Sequence, residues 1–149
     1  MYKERKEDLS VLRFIREMFS DVPFVKVVDE FPLEEVETPT ISVTKGSINY
    51  SWFEIGDRSR LESRTWYFDI FAKDKNQRDE YTYRISEKLR DDVIQVYDYG
   101  VSLTDPPELD YCLQCIDLRI EFLPSFVEGL IGATHRAMIT ATFEPTKII

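Results

Sequence analysis

The sequence predicts an α+β fold: a mixed or mainly antiparallel β-sheet flanked by an N-terminal helix and a second, central helix. Three observations predict this class. Apolar residues recur at spacings of three and four in two stretches, which is typical of amphipathic helices. They alternate with polar residues in several other stretches, which is typical of strands. Short connections join most of these strands and favour antiparallel neighbours. The length of 149 residues predicts a single domain over residues 1–149.

The first helix is predicted near the N-terminus and ends before Pro23, because the residue preceding a proline disfavours the helical region. Its apolar stripe consists of residues three and four apart: Leu9, Leu12, Ile15 and Phe19. Three further residues widen this stripe: Val11, Phe14 and Met18. A wider stripe indicates a second neighbour besides the sheet, either in the same chain or in another subunit.

Strands follow the first helix. Residues 24–28 form a short β-branched run, and residues 40–44 alternate so that Ile41 and Val43 face the core. Residues 64–72 form the clearest strand. Both faces of that strand carry aromatic residues, which predicts a central strand covered on both sides, at least in part.

A second helix is predicted after a turn at residues 73–77, with Asn76 and Asp79 as a capping pair. Its apolar stripe consists of Tyr81, Ile85 and Leu89. Three strands then follow, at residues 93–99, 109–122 and about 135–143. The even-numbered residues from Cys112 to Phe122 are expected on one side of the long strand, and the odd-numbered residues from Ala137 to Phe143 on one face of the last.

Charge and composition exclude several classes of function. The formal net charge is -9, so sequence-independent binding of phosphate backbones is not expected. No apolar run has the length of a membrane span, and the charged N-terminus does not resemble a signal peptide. We therefore expect no membrane association and a protein that stays in the compartment where it is made.

The chain shows no convincing catalytic or metal-binding pattern. Cys112 and Cys115 have the spacing of a redox pair or half a zinc site, but strand-like flanks do not lower a thiol pKa, and His135 supplies at best one further ligand. No turn presents a nucleophile to His135, and no glycine-rich phosphate loop is present. We expect no enzyme activity, no cofactor and no metal, with two reduced, half-buried cysteines.

One segment has the composition of a binding surface. Arginines and aromatic residues, which interfaces favour, occur together between residues 52 and 64. The candidates are Trp52, Phe53, Arg58, Arg60 and Arg64. The alternative interpretation is a solvated hairpin tip with an aromatic anchor.

Residues 9–99 contain a recognisable series of features. A helix precedes a loop that ends in Pro39, and a strand follows at Ile41 to Val43. The motifs after that are Glu54-x-Gly56-Asp57, Arg64, the strand end Phe68-Asp69-Ile70-Phe71-Ala72, and Arg78-Asp79-Glu80 at the start of an acidic helix. The series resembles the tail terminator and neck proteins of tailed bacteriophages. Residues 97–99 and 109–122 also resemble the neck-terminator branch.

The resemblance implies a structural virion protein that forms a homo-hexameric ring at the head-proximal end of the tail tube. Such a ring ends tube polymerisation and joins the tail to the connector or adaptor proteins of the head. DNA passes through its lumen without specific binding. The protein would be made in the cytoplasm of the host bacterium and located in the virion, in the tail or neck.

The resemblance carries no catalytic residues. Because of their arginine and aromatic content, the candidates between Trp52 and Arg64 are assigned to subunit or tube contacts. Three acidic residues are candidates for the lumen or the connector contact: Glu34, Glu35 and Glu37. Alternatives are a head-side adaptor or tail completion protein of the neck, a small α+β domain that binds a peptide or ligand, and, last, a cysteine-based redox enzyme.

Overall fold

The computed structural model describes residues 2–31, 37–52, 60–99, 108–123 and 135–146. These residues form two helices and six strands. In chain order they are α1 (Lys3–Met18), β1 (Lys26–Val28), β2 (Thr40–Trp52), β3 (Arg60–Ala72), α2 (Lys75–Asp91), β4 (Ile94–Asp98), β5 (Glu108–Leu123) and β6 (His135–Thr146). The α+β fold with an N-terminal and a central helix is confirmed.

All six strands belong to one sheet with the order β1-β2-β3-β6-β5-β4. The short strand β1 runs parallel to β2, and every other neighbouring pair is antiparallel. The sheet is therefore mixed but mainly antiparallel, as predicted. Its centre is formed by β2, β3, β6 and β5, which are the long strands.

Both helices pack on the same face of the sheet. Helix α1 contacts β4 and β1, whereas α2 contacts β6, β3 and β5. Helix α1 therefore reaches both outer strands, which requires the sheet to curl around it. The predicted core residues of three strands are buried on this face: Ile41, Val43, Trp66, Phe68, Ile70, Ala72, Ala137, Ile139, Ala141 and Phe143.

The wide apolar stripe of α1 is covered within the chain. Val11 and Met18, which widen the stripe, are buried together with Leu12 and Ile15, and Phe14 packs against the core. Helix α1 lies against β4 as well as β1, and these are the two edge strands of the one sheet, so the curled sheet itself covers the wide stripe instead of a second neighbour besides the sheet.

Strand β3 is covered on both sides, as its two aromatic faces predict. Asp69 and Phe71 lie opposite the helices and are also buried. Their cover includes Phe31, whose ring lies 5.7 Å from that of Phe71, edge to face. The guanidinium of Arg136 lies 4.9 Å from the Phe31 ring and bonds to Asp69 at 2.7 Å. The cover on this side is thus a piece of connecting chain rather than a helix.

The predicted face of β5 is wrong because the strand contains a β-bulge. Pairing with β6 shifts between Cys115 and Asp117, so one extra residue reverses the alternation. Cys115 packs against the core before the bulge, and Leu118 packs against it afterwards. Ile116, predicted on the same side as Leu118, is 50% exposed.

The predicted cap of α2 is also wrong. The helix begins after Asp74, whose side chain accepts a hydrogen bond of 2.8 Å from the backbone N–H of Gln77. The side-chain oxygen of Gln77 in turn accepts a hydrogen bond of 2.8 Å from the backbone N–H of Lys73. The capping pair therefore lies two residues before Asn76, at the end of the turn that follows β3.

The cap predicts a difference between two neighbouring substitutions. Asp74→Ala removes the acceptor for a helix N-terminal N–H and should lower the free energy of unfolding by about 1 kcal/mol. Asn76→Ala, at the second residue of the helix, should change the free energy of unfolding by less than about 0.5 kcal/mol. Urea denaturation followed by circular dichroism measures both, and an equal loss in the two variants would contradict the assignment.

Candidate functional site

The segment predicted to make subunit or tube contacts is the end of the β2–β3 hairpin. Trp52 closes β2 and Arg60 opens β3, and the two residues pair across the hairpin. Phe53 and Arg58 lie between them in sequence, outside the described residues. The backbone therefore places Trp52 and Arg60 together at the far end of the described hairpin.

This end of the hairpin extends beyond the sheet. Strand β6 pairs with β3 only from Arg64 to Ala72, so residues 60–63 have β2 as their only strand partner among the described residues. We call residues 46–52 and 60–63 the ribbon. A β-bulge in β2 between Lys45 and Ile48 marks its base, where strands bend and twist more strongly.

Gly46 allows a close approach at the base of the ribbon. A Cβ atom at this position would lie 2.7 Å from Cε2 of Tyr67 and 3.1 Å from the backbone oxygen of Thr65. The first distance is shorter than a carbon–carbon contact permits. The absence of a side chain at Gly46 thus lets β2 pass close to β3 where the ribbon begins.

Arg64 lies on the other face at the base of the ribbon, and it is buried. It is 2% exposed, and its guanidinium lies 4.2 Å from the centre of the Trp66 ring. It bonds to the Glu4 backbone oxygen at 3.0 Å, to the Glu7 carboxylate at 3.3 Å and to the Asp8 carboxylate at 2.8 Å. The charge of Arg64 is therefore paired with helix α1 inside the chain. For the other residues of the segment, a subunit or tube contact stays a prediction.

Glu7 joins helix α1 to two strands. It is 1% exposed, and its second carboxylate oxygen accepts a hydrogen bond of 2.6 Å from the Tyr111 hydroxyl on β5. Its first oxygen bonds to Arg64 on β3. We call Glu7, Asp8, Arg64 and Tyr111 the clamp. It fixes the first turns of α1 against the strands at the base of the ribbon.

The sequence reasoning missed Glu7 and Tyr111. A signal was present for Glu7, which precedes Val11 by four residues and therefore lies on the apolar side of α1. A carboxylate at such a position needs a buried partner. Nothing in the sequence identifies Arg64 as that partner, because the two residues are 57 positions apart.

Further polar contacts connect α1 with the ribbon. Lys3 bonds to Glu62 at 2.6 Å, and the Tyr50 hydroxyl donates to Glu4 at 2.6 Å. At the bulge, Lys45 lies 3.3 Å from Asp8. Each of these contacts has an exposed member and contributes little by itself. Together with the clamp they hold the ribbon along the N-terminal half of α1.

Burial shifts the pKa values inside the clamp. It raises the pKa of the Glu7 carboxyl above its usual value, although the hydrogen bond from Tyr111 and the charge of Arg64 act in the opposite direction. Burial, followed by the neighbouring Glu7 carboxylate, raises the pKa of the Tyr111 hydroxyl, which is therefore a hydrogen-bond donor at neutral pH.

The acidic residues predicted for the lumen or connector lie in and beside the β1–β2 connection. Glu34 and Glu35 are outside the described residues. Glu37 is exposed, and its carboxylate forms an ion pair with Lys26. Its backbone oxygen accepts a hydrogen bond from the Thr40 hydroxyl at the start of β2. Glu37 is accessible, and its assignment to a lumen or connector surface stays a prediction.

The two cysteines lie on β5, and neither forms a disulfide. Burial raises the pKa of the Cys115 thiol, which is the opposite of the shift that a redox thiol needs. In the part of the chain that the structure describes, no group of three or more histidine, cysteine or acidic side chains is placed to hold a metal ion. No helix among the described residues has the length and hydropathy needed to cross a membrane.

Comparisons with known proteins give matches among solved structures alone. No family model matches the chain, and no curated protein sequence matches it. Among solved structures, the chain is similar to a chain of a structure described as the virion of a native gene transfer agent particle. The two are 10% identical over 94% of this chain and 95% of that chain, with a TM-score of 0.46. At these values no residue role or activity is carried across.

The clamp predicts a large loss of stability when its cation is removed. Arg64→Met leaves the Glu7 carboxylate buried without its charged partner and should lower the free energy of unfolding by about 3–5 kcal/mol. Arg119→Met is the matched control, because Arg119 is exposed and bonds only to its neighbour Glu121 among the described residues. We expect it to change stability by less than about 0.5 kcal/mol. If chemical denaturation shows the same loss of stability in both variants, the buried contacts of Arg64 do not stabilise the fold more than an exposed ion pair does.

The raised pKa of Glu7 predicts a pH-dependent effect of Glu7→Gln. Below the ordinary value of 4.5 the carboxyl is protonated in both states, and glutamine resembles it closely. As pH rises from 4.5 to 7, ionisation favours the unfolded wild-type chain, because the folded state resists losing this proton. The stability of the variant relative to wild type should rise by about 1.4 kcal/mol for each unit by which folding raises the pKa. Urea denaturation of both proteins between pH 4.5 and 7 measures this difference in stability. If the variant instead loses stability relative to wild type as pH rises, the charge of Arg64 lowers the pKa of Glu7.

Proposed function

We propose that this chain is a structural virion protein of a tailed bacteriophage and has no enzyme activity. It forms a homo-hexameric ring at the head-proximal end of the tail tube, ends tube polymerisation and joins the tail to the head connector. Its partners are the tail tube protein and the connector or adaptor proteins. It is made in the cytoplasm of the host and functions in the tail or neck of the virion.

The series of motifs from Arg64 to Glu80 carries this proposal. In the structure, Arg64 and residues 68–72 belong to β3, a short turn follows, and Arg78-Asp79-Glu80 lie in the first turns of α2. The helix before β1 and the strand that contains Ile41 also occur in the order that the resemblance requires. The architecture is therefore consistent with the family that the motifs suggest.

The ribbon supports a role in assembly. It extends beyond the sheet, and its end carries Trp52 and Arg60, two residue types that are enriched where proteins bind each other. The clamp fixes its base, so little conformational freedom is lost when a partner binds. A fixed projection with an aromatic and a cationic residue is suited to contact a neighbouring subunit or the last ring of the tube.

Ending a tube requires a ring with two different faces. One face matches the last ring of tube subunits, and the other rejects more tube subunits and accepts the connector. A head-to-tail contact repeated around an axis closes into such a ring without a second kind of interface. The net charge of -9 is consistent with a lumen through which DNA moves without being held.

Electron microscopy of particles made without this gene tests the proposal. We expect overlong tail tubes, or full heads beside unjoined tails, and restoration by the wild-type gene. Retention of the protein on isolated heads instead of tails would indicate a head-side adaptor or tail completion protein. Virions with joined tails of normal length would contradict the assembly role.

The ribbon is tested by complementation with Arg58→Glu/Arg60→Glu, which reverses two charges of the segment and spares the buried Arg64. We expect at least about a tenfold loss of joined particles, because arginines at interface centres contribute strongly to binding. Lys75→Glu/Arg90→Glu is the matched control, since it makes the same charge change at two exposed positions of α2. Equal complementation by both variants would remove the ribbon from the interface.

A further inference from the structure

Helix α1 carries a stripe that has an exposed arginine at each end and, between them, the partly exposed Leu9 and the largely buried Leu12. Arg5, Leu9, Leu12 and Arg16 are spaced by four, three and four residues and therefore share one side of the helix. Leu9 and Leu12 line a surface depression of about 420 Å³ together with Arg13, Arg16, Glu17 and Tyr99. We call this depression, with Arg5 and Arg16 at the two ends of the stripe, the hollow.

The two arginines of the hollow lack acidic partners among the described side chains. Arg5 and Arg16 are exposed, and neither forms an ion pair there, although Arg16 lies 3.4 Å from the Val27 backbone oxygen. Most other described cations have a carboxylate partner. Arg13, beside the hollow, bonds to Glu17 at 2.8 Å. In a chain of net charge -9, two unneutralised arginines that flank leucines and a tyrosine form a local site for an acidic surface with an apolar centre.

A surface of that description lies on β5 and β6. The bulge of β5 leaves Ile116 50% exposed. Asp117 pairs in register with Thr142, and Glu144 lies two residues further along β6, so two exposed carboxylates lie close to Ile116. Neither Asp117 nor Glu144 forms an ion pair among the described residues. We call Ile116, Asp117 and Glu144 the knob.

The hollow and the knob are complementary. The hollow has leucines and a tyrosine between arginines, and its lining carboxylate, Glu17, is already paired with Arg13. The knob has an exposed isoleucine beside two carboxylates. They belong to different elements, α1 and the β5–β6 pair, so a copy can offer both to two different neighbours. This is the arrangement that a head-to-tail contact needs, since such a contact joins two different surfaces.

We propose that the hollow of one copy binds the knob of the next, and that this contact joins the subunits of the ring. The inference rests on the proposed function, because that function requires self-assembly through two different surfaces. Ile116 enters the hollow against Leu9 and Tyr99, and the two carboxylates bond to Arg5 and Arg16 of the neighbour. The contact should weaken with added salt, because exposed charges at its rim are screened.

Charge reversal of each side, followed by reversal of both, tests the contact on the purified full-length chain. Arg5→Glu/Arg16→Glu reverses the hollow, and Asp117→Lys/Glu144→Lys reverses the knob. By sedimentation velocity, each double variant should assemble at least about tenfold more weakly than wild type, because like charges then face each other. The chain with all four substitutions should recover assembly, since the charges are again opposite.

Lys75→Glu/Arg90→Glu is the matched control, because it reverses two other exposed cations that have no carboxylate partner among the described residues. It should assemble as wild type does. Circular dichroism and thermal melting of each variant separate loss of contact from loss of fold. Recovery in the fourfold variant could not arise from misfolding.

Several outcomes would overturn this inference. They are a wild-type chain that stays monomeric at its highest soluble concentration, double variants that assemble normally, and a fourfold variant that does not recover. Normal rings from a hollow variant that no longer joins tails would mean that the hollow binds a tail or head protein instead. The proposed function is contradicted by a different result. If particles made without the gene are normal, the proposed function is wrong, even where the purified chain assembles through these two surfaces.

Discussion

The contact between Arg64 and the first turns of helix α1 is the constraint on which the rest of the structure depends. A buried guanidinium is costly unless carboxylates and backbone oxygens surround it, and here Glu7, Asp8 and the Glu4 backbone oxygen do so. These partners lie on one helix, so the position of α1 along the sheet is fixed by polar geometry as well as by apolar packing. Tyr111 extends the same contact to β5. The direction of the ribbon and the orientation of the outer side of α1 both follow from this arrangement.

Periodicity predicted the parts of the fold that depend on local pattern. The alternation in β3 and β6 identified their core residues, because each strand keeps its register with its neighbours over the predicted range. The prediction failed on β5, where an extra residue at Ile116 reverses the alternation, and no composition rule places such a bulge. It failed at the start of α2 because both Asp74 and Asn76 are suitable N-cap residues, and only the turn after β3 decides between them.

The candidate site was predictable only in part, for a related reason. Arginines and aromatic residues between positions 52 and 64 drew attention to the hairpin, and the structure shows that its end extends beyond the sheet. Sequence could not distinguish Arg64 from the other arginines of the segment. A charged side chain is buried or exposed according to its partners, and those of Arg64 lie 56–60 residues away along the chain. Composition therefore singled out the hairpin segment, whereas the burial of Arg64 depends on tertiary contacts.

A net charge of -9 sets a condition on any self-assembly of this chain. Copies that approach at random repel each other, so association needs a place where the local charge differs from the mean. Most described cations are used inside the chain: Arg64 with Glu7, Arg136 with Asp69, and others with neighbouring carboxylates. Each internal pair removes a cation that a neighbour could meet. The arginines on the outer side of α1 are exceptions, and the clamp fixes the helix that carries them. The same buried arginine that orders the fold thus also fixes the position of the arginines in the proposed contact, so that contact would depend on the stability of the monomer.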